Sequence, residues 1–258
     1  MPEQYPVRVE TRAPQGETNA YRLGTPEGLL VDPAGRTPAL DAAATDVDHV
    51  AVTHAHPDHV GAVAEYATEA DATVWAHAAF ADRFERATGV PADRLFRPGD
   101  ELGDTGVTVL DTPGHAPDHV AFVEENEAVT GDLVFADGSV FVGAVDGDMR
   151  AYFASLRSVR ARNFDRLHPG HGPAIESPSE RLAALYEHRR DRERRVLAAV
   201  ESGAETVEEV LDAAYDKDLA GVRDLAGQTV RAHLDKLAVE GRVEWDGARV
   251  VERNETTF

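Results

Sequence analysis

Four metal-competent side chains within six residues constrain this chain more than any other feature. The string Thr53-His54-Ala55-His56-Pro57-Asp58-His59 follows an apolar, strand-like run, Asp48–Val52, and precedes a run with helical spacing. A strand end is rigid, so the loop after it can hold several ligands on one side. His54 and His56, two apart, can converge on one ion. Asp58 and His59, at the start of a helix, diverge towards a second. Imidazole and carboxylate suit zinc at roughly 2.0–2.2 Å. Four ligands from one loop do not complete two sites, so further ligands must come from elsewhere.

Three later segments offer them. His115 ends Asp111-Thr112-Pro113-Gly114-His115, Asp132 ends Thr130-Gly131-Asp132, and His171 stands in His168-Pro169-Gly170-His171-Gly172. Each follows a strand-like run or turn, and each has a glycine beside it that lets the backbone approach. The Asp132 carboxylate can bridge two ions held about 3.5–4 Å apart, the spacing used in two-metal hydrolysis. The chain has no cysteine, which excludes disulfides, thiolate catalysis and cysteine zinc sites.

Around these ligands, short strand-like and helical runs alternate. Asn19–Leu23 and Gly28–Val31 read as a hairpin. His49–Thr53, Ala72–Ala76, Val107–Leu110, Val120–Glu124 and Ala128–Thr130 read as strands. His59–Ala70, Ala78–Ala87 and Ala151–Arg160 read as helices. Strand pairs followed by helices indicate an α/β sandwich with a mixed sheet. After His171 the character changes. Ser179–Ser202 reads as one long charged helix. Thr206-Val207-Glu208-Glu209 is a capping box opening a second helix to about Tyr215, and Thr229–Glu240 is a third. Arg242–Trp245 and Ala248–Val251 flank the hairpin signal Asp246-Gly247. Helices followed by a hairpin suggest a small winged-helix domain. Pro173 and Pro178 mark the division, giving residues 1–175 and 176–258 as the two domains.

In order and spacing, these motifs resemble the metallo-β-lactamase superfamily over roughly Asn19 to Gly172. The resemblance implies an αββα sandwich and a dinuclear zinc hydrolase. It implies that His54, His56 and His115 hold one metal, that Asp58, His59 and His171 hold the second, and that Asp132 bridges them. Asp32, in Leu30-Val31-Asp32-Pro33, matches a family aspartate near the site that supports a ligand. The implied chemistry is attack by a metal-bridged hydroxide, with Asp58 orienting or deprotonating the water. Manganese or iron would suit the same ligands. Tyr152 is a candidate proton donor or substrate contact; the alternative is a half-buried helix aromatic. His119 and His168 lie in family-like strings and are expected to support the site without completing a coordination set.

The resemblance also separates branches. Redox di-iron members usually carry an acid where His56 stands and add a flavodoxin domain; neither is present. Only 38 residues separate Asp132 from His171, too few for the inserted cap of RNA-processing members. A small winged helix after the catalytic domain resembles the branch that includes mitochondrial single-strand endoribonucleases. Its third helix would offer Arg231, His233 and Lys236 to nucleic acid. Against this, residues 203–258 hold 7 basic and 13 acidic side chains, whereas nucleic-acid affinity comes largely from phosphate neutralisation. The other reading is a tail that packs on the catalytic domain or forms a dimer contact. The function expected first is hydrolysis of a small ester, thioester or lactone. The alternative is a single-stranded RNA endonuclease or phosphodiesterase, and the third reading is a non-catalytic nucleic-acid-binding regulator.

Charge frames these readings. The formal net charge is −21, and only Lys217 and Lys236 among the 26 basic residues are lysine. An acidic, lysine-poor surface resembles proteins of extreme halophiles such as halophilic archaea, where high salt screens repulsion between carboxylates. Net acidity is then weak evidence against nucleic-acid binding, because solvent sets the surface. Met1-Pro2-Glu3-Gln4 shows no signal-peptide pattern, and no apolar run approaches about 18 residues. A cytoplasmic protein with no membrane segment is expected.

Overall fold

The structure is a computed structural model and describes residues 1–216 and 219–253. These fall into two compact units. One comprises Met1–Thr112, Asp118–Val140 and Ser158–Arg181. The other comprises Pro113–Pro117, Phe141–Arg157 and the described residues from Leu182 on.

The first unit is built on two sheets. Six strands follow one another in chain order across the first: β1 (Glu3–Arg8), β2 (Glu17–Leu23), β3 (Leu29–Val31), β4 (His49–Ala51), β5 (Thr73–His77) and β6 (Arg94–Phe96). The β1–β2 and β2–β3 pairs are antiparallel, and β3 to β6 run parallel. The parallel crossovers carry α1 (Pro38–Ala43), α2 (Pro57–Val60), α3 (Val63–Ala70) and α4 (Ala81–Thr88). The second sheet is the meander β7 (Val107–Asp111), β8 (Val120–Glu124) and β9 (Glu127–Gly131), with β10 (Arg166–Pro169) parallel to β9 at its edge.

Burial explains the layers. Tyr21, Leu29, Val31 and Phe96 of the first sheet join Val107, Val109, Phe122 and Val129 of the second in one core cluster. The opposite face of the first sheet, with Leu30, Val50 and Val74, packs against Leu40, Val63, Tyr66 and Phe84 of the helices. Each such side chain contributes about 1.5–3 kcal/mol on burial. Strands β3 and β4 are buried throughout, as a parallel sheet covered on both faces requires. Their C-terminal ends lead into Asp32 and His54.

The expected single helix His59–Ala70 is two helices. The Ala62 amide donates to the Pro33 carbonyl at 2.8 Å, outside the helix, and the ladder breaks at Gly61-Ala62. The strands β1, β6 and β10 and the helix α1 have no counterpart among the runs expected from sequence. Pro6 interrupts the β1 pattern and is tolerated because β1 is an edge strand.

The second unit contains most of α5 (Met149–Ala161) and α6 (Pro178–Glu201), then α7 (Val207–Ala214), α8 (Arg223–Val239) and the hairpin β11 (Val243–Trp245) and β12 (Val250–Glu252). Thr206 and Glu209 form the expected capping box at the start of α7. Val196, Val210, Leu211, Val230, Leu234, Val243 and Val250 form this unit's core. The helix α8 starts six residues before the expected Thr229, because Gly227 weakens the helical signal. Among the described residues, no helix is long and apolar enough to cross a membrane.

Candidate metal centre

The loop after β4 turns at Thr53, and Asp32, after β3, fixes that turn. Asp32 is fully buried and holds a left-handed backbone, φ 52°, that few non-glycine residues adopt. Its carboxylate accepts the Thr53 amide at 2.6 Å and the Thr53 hydroxyl at 2.7 Å, and it lies 2.9 Å from His59 Nδ1. The Ala55 amide donates to Asp118 Oδ2 at 2.9 Å, while Arg83 Nε lies 3.0 Å from Asp118 Oδ1. The string from Thr53 to His59 is therefore tied at Thr53, Ala55 and His59. Strand β2 fixes the loop that carries His171: Asn19 Nδ2 donates to the carbonyls of Pro169 (2.9 Å) and Gly172 (2.8 Å), and the Tyr21 hydroxyl donates to Pro169 at 2.7 Å.

These ties bring six of the expected ligands of the first unit together. The ring centroids of His54 and His56 are 4.5 Å apart, and those of His54 and His59 are 4.2 Å apart. Asp132 Oδ1 lies 3.5 Å from His59 Nε2 and 3.4 Å from His171 Nε2. Asp58 Oδ2 lies 3.7 Å from His171 Nε2. Within the first unit, two triads have all their donor atoms within 4.8 Å of one another: His54, His59 and Asp132, and Asp58, His59 and His171. Asp132 thus reaches the donors of both.

Hydrogen bonds set the ring orientations. His59 turns Nδ1 to Asp32, and His171 turns Nδ1 to the Glu17 carbonyl at 2.7 Å. Each ring therefore presents Nε2 to the centre. His59 is fully buried, and its Nε2 has no hydrogen-bond partner. A buried imidazole nitrogen without a partner, facing carboxylates, is the environment of a metal ligand. The donor set fits divalent ions. Burial opposes charge on His59, yet Asp32 and Asp132 outweigh it and hold its pKa well above the ordinary value. His171 is raised by Asp132 against the same opposition.

Two glycines let the backbone approach. At Gly170 a Cβ would lie 2.5 Å from Asp132 Oδ1 and 2.8 Å from His59 Cε1. At Gly131, where φ is 45°, it would lie 2.5 Å from Thr53 Oγ1 and 2.9 Å from His119 Nε2. His119 accepts the Asp132 amide at Nε2 (3.0 Å) and meets Thr112 Oγ1 at Nδ1 (2.8 Å). His168 is buried and bonds Glu127 at 2.8 Å, facing away from this role.

His115 and Tyr152 belong to the second unit. His115 is buried, with Nδ1 bonded to the Phe141 carbonyl at 2.7 Å. Tyr152 is fully buried, not half-buried, and the Arg189 guanidinium lies 5.5 Å from its ring centroid. In α8, His233 has no exposed surface, Lys236 is paired with Glu193 and Glu240, and Arg231 donates to the Gly247 carbonyl. The three side chains that would have met nucleic acid are turned to internal partners.

Sequence reasoning missed Thr11, Arg83 and Asp118 as parts of the site. The Thr11 hydroxyl donates to Asp58 Oδ2 at 2.6 Å. No local signal marked it, because Thr11 lies 47 positions from its partner. A pocket of about 120 Å³ borders His171 and is lined by Gln15, Phe135, Ala136, Asp137 and Pro173. The Phe135 ring meets His171 edge-on at 5.4 Å.

Residues 13–171 match the model of the metallo-beta-lactamase superfamily. The chain belongs to that superfamily. Among other members, the "Beta-lactamase-like protein 2 homolog" of Caenorhabditis elegans is 28% identical over 242 residues, covering 88% of this chain and 80% of the relative. The "Atrochrysone carboxyl ACP thioesterase" of Aspergillus fumigatus is 29% identical over 232 residues, covering 80% of this chain and 71% of the relative. The crystal structure of a metallo-beta-lactamase family protein from Thermus thermophilus superposes with a TM-score of 0.76 at 25% identity, covering 98% of both chains. The helical and hairpin region after residue 181 is thus shared with that family member.

Proposed function

We propose that this metallo-beta-lactamase superfamily hydrolase cleaves a thioester at a dinuclear zinc centre. The observation that carries the dinuclear reading is Asp132, whose carboxylate lies within 4.8 Å of donor atoms on both His54, assigned to one ion, and His59, assigned to the other. The thioester reading is supported by the fungal thioesterase among the relatives. In this proposal Asp58, His59 and His171 hold one ion, Asp132 bridges, and the family pattern gives His54, His56 and His115 the other. The imidazole and carboxylate donors suit zinc, and manganese or iron are the rivals.

Two bound ions would supply Lewis acidity at the attacked carbonyl and an acidified water. The chain's own residues do the rest. Asp58, steadied by the Thr11 hydroxyl, orients the water and receives its proton. His119 fixes the Asp132 backbone, so the carboxylate is preorganised before substrate arrives. The pocket beside His171, bounded by Phe135 and Pro173, would hold the apolar part of an acyl group. Arg181 Nε donates to the Phe135 carbonyl at 2.6 Å and keeps that wall in place. A leaving thiolate needs little protonation, so no buried acid is required for it. Tyr152, enclosed within the second unit, would serve as packing.

The region after residue 181 is proposed to be winged-helix-like, from its three helices and hairpin. The acidic surface is proposed to be an adaptation to high salt; a melting temperature that does not rise between 0.1 and 2 M KCl, concentrations taken on the order of weak and full screening, would count against it. The test of function is a metal-loaded screen in molar KCl (about 1 M or above) with acyl thioesters, esters, lactones and labelled single-stranded RNA. Turnover of thioesters above the other classes supports the reading. Cleavage of RNA with inert thioesters overturns it in favour of the endonuclease.

A further inference from the structure

The second unit carries a cleft that hydrolysis does not require. Its volume is about 460 Å³, within the range of small-molecule sites. Arg150, Arg157, Arg190, Lys236 and Arg242 line it, against two carboxylates, Glu193 and Glu240. This is opposite in sign to the chain as a whole, in which 47 acids outnumber 26 bases.

The pairing within the cleft is uneven. Lys236 Nζ takes both acids, with Glu193 at 2.8 Å and Glu240 at 2.9 Å. Its ammonium also lies 5.1 Å from the Phe153 ring centroid, and Phe153 meets Tyr186 edge-on at 5.2 Å. That wall is fixed from within. Among the described residues, Arg157 reaches only the Tyr186 hydroxyl, at 3.5 Å. Arg150, Arg190 and Arg242 are exposed and form no ion pair among the described residues. Elsewhere some exposed arginines find carboxylates (Arg166 with Glu176, Arg195 with Asp216, Arg223 with Glu208), while others, such as Arg86 and Arg97, have no carboxylate partner among the described residues and line no such cleft. The convergence of three unpaired guanidinium groups, with Arg157 and Lys236, on one cleft points to an external anion. Guanidinium donors match phosphate oxygens two at a time.

We infer that this cleft binds a compact anion carrying two or more phosphate groups, of the nucleoside diphosphate class. A compact ligand is favoured over nucleic acid by the surroundings. The cleft's volume suits a compact ligand, and residues 203–258, which supply Lys236 and Arg242, are net acidic as a whole and so unsuited to a long polyanion. The inference does not rest on the thioesterase reading.

The test is calorimetric titration of the metal-loaded full chain with ADP, inorganic phosphate and a single-stranded oligouridylate. It uses the wild type, Arg190→Glu, Arg242→Glu and, as a charge control outside the cleft, Arg86→Glu. Saturable ADP binding is expected, at least tenfold weaker in each cleft variant and unchanged in Arg86→Glu, with hydrolysis unchanged in all three. Arg190→Gln, which removes the charge without reversing it, should give an intermediate loss and guards against a folding defect. ADP binding equal in all variants would place the ligand elsewhere and overturn the inference. So would inorganic phosphate binding as tightly as ADP, or binding of oligouridylate alone.

Discussion

The two units use charge in opposite ways. In the first, Asp32 and Asp132 are buried among histidines; the Asp32 carboxylate is held by the Thr53 amide and hydroxyl, and His119 accepts the Asp132 amide. In the second, arginines line an open cleft and stay exposed. Buried donors with fixed orientation can select an ion and hold it for chemistry. Exposed guanidinium groups on long side chains can only gather an anion. On the two proposals above, most of the chemistry falls to the first unit and anion capture to the second.

Removing a ligand should break the first half of that contrast most severely. His59→Ala, Asp132→Ala and His56→Ala are each expected to lower metal-dependent hydrolysis more than about hundredfold, beyond the effect of losing a ligand's supporting partner. Metal content, read by plasma mass spectrometry, should fall in parallel while circular dichroism is retained. Full activity in a purified variant would contradict the assignment.

Changes one layer out should have smaller effects. Asp32→Asn weakens the hold on His59, and Gly170→Ala forces a methyl group against Asp132. Each is expected to cost about 10–100-fold in metal affinity, measured by competition with a chelator. An unchanged affinity would mean that the ligand loop keeps its shape without these residues.

A pH effect spans both units. Burial holds the pKa of His168, in the first, and His233, in the second, below the ordinary 6.5. The unfolded chain therefore takes up these protons first as pH falls. Their contribution to stability is full above about 6.5 and is lost progressively below it. The melting temperature should drop from pH 7 to 5, and His233→Gln should flatten that slope. An equally steep slope in His233→Gln would remove this residue from the explanation.

The smallest effect is expected at Tyr152. Its side chain is fully buried, so Tyr152→Phe should reduce kcat less than about threefold, far below the loss from removing a general acid. A hundredfold loss with unchanged stability would restore the proton-donor role considered from sequence.

The legible parts of the molecule were local in sequence. His54 to His59 lie in one string, and Asp132 and His171 each stand beside a glycine that the packing explains. Asp32 was legible only through its match to a family aspartate. Thr11, Arg83 and Asp118 act through contacts between distant segments, and a threonine in a loop carries no motif. The short strands β6 and β10 were too brief to show a period, and Pro6 hid β1. The cationic cleft was invisible for the same reason. Its arginines come from α5, which supplies Arg150 and Arg157, from α6 and from the turn before β11, and only folding collects them.

The most direct test of the dinuclear centre is metal stoichiometry measured together with thioester turnover on the same preparations. The account predicts two ions per chain in the wild type, a loss of bound metal and of turnover in His59→Ala, and recovery of wild-type turnover only as the second equivalent is added back. Full wild-type activity with a single ion, or an active His59→Ala enzyme, would contradict it.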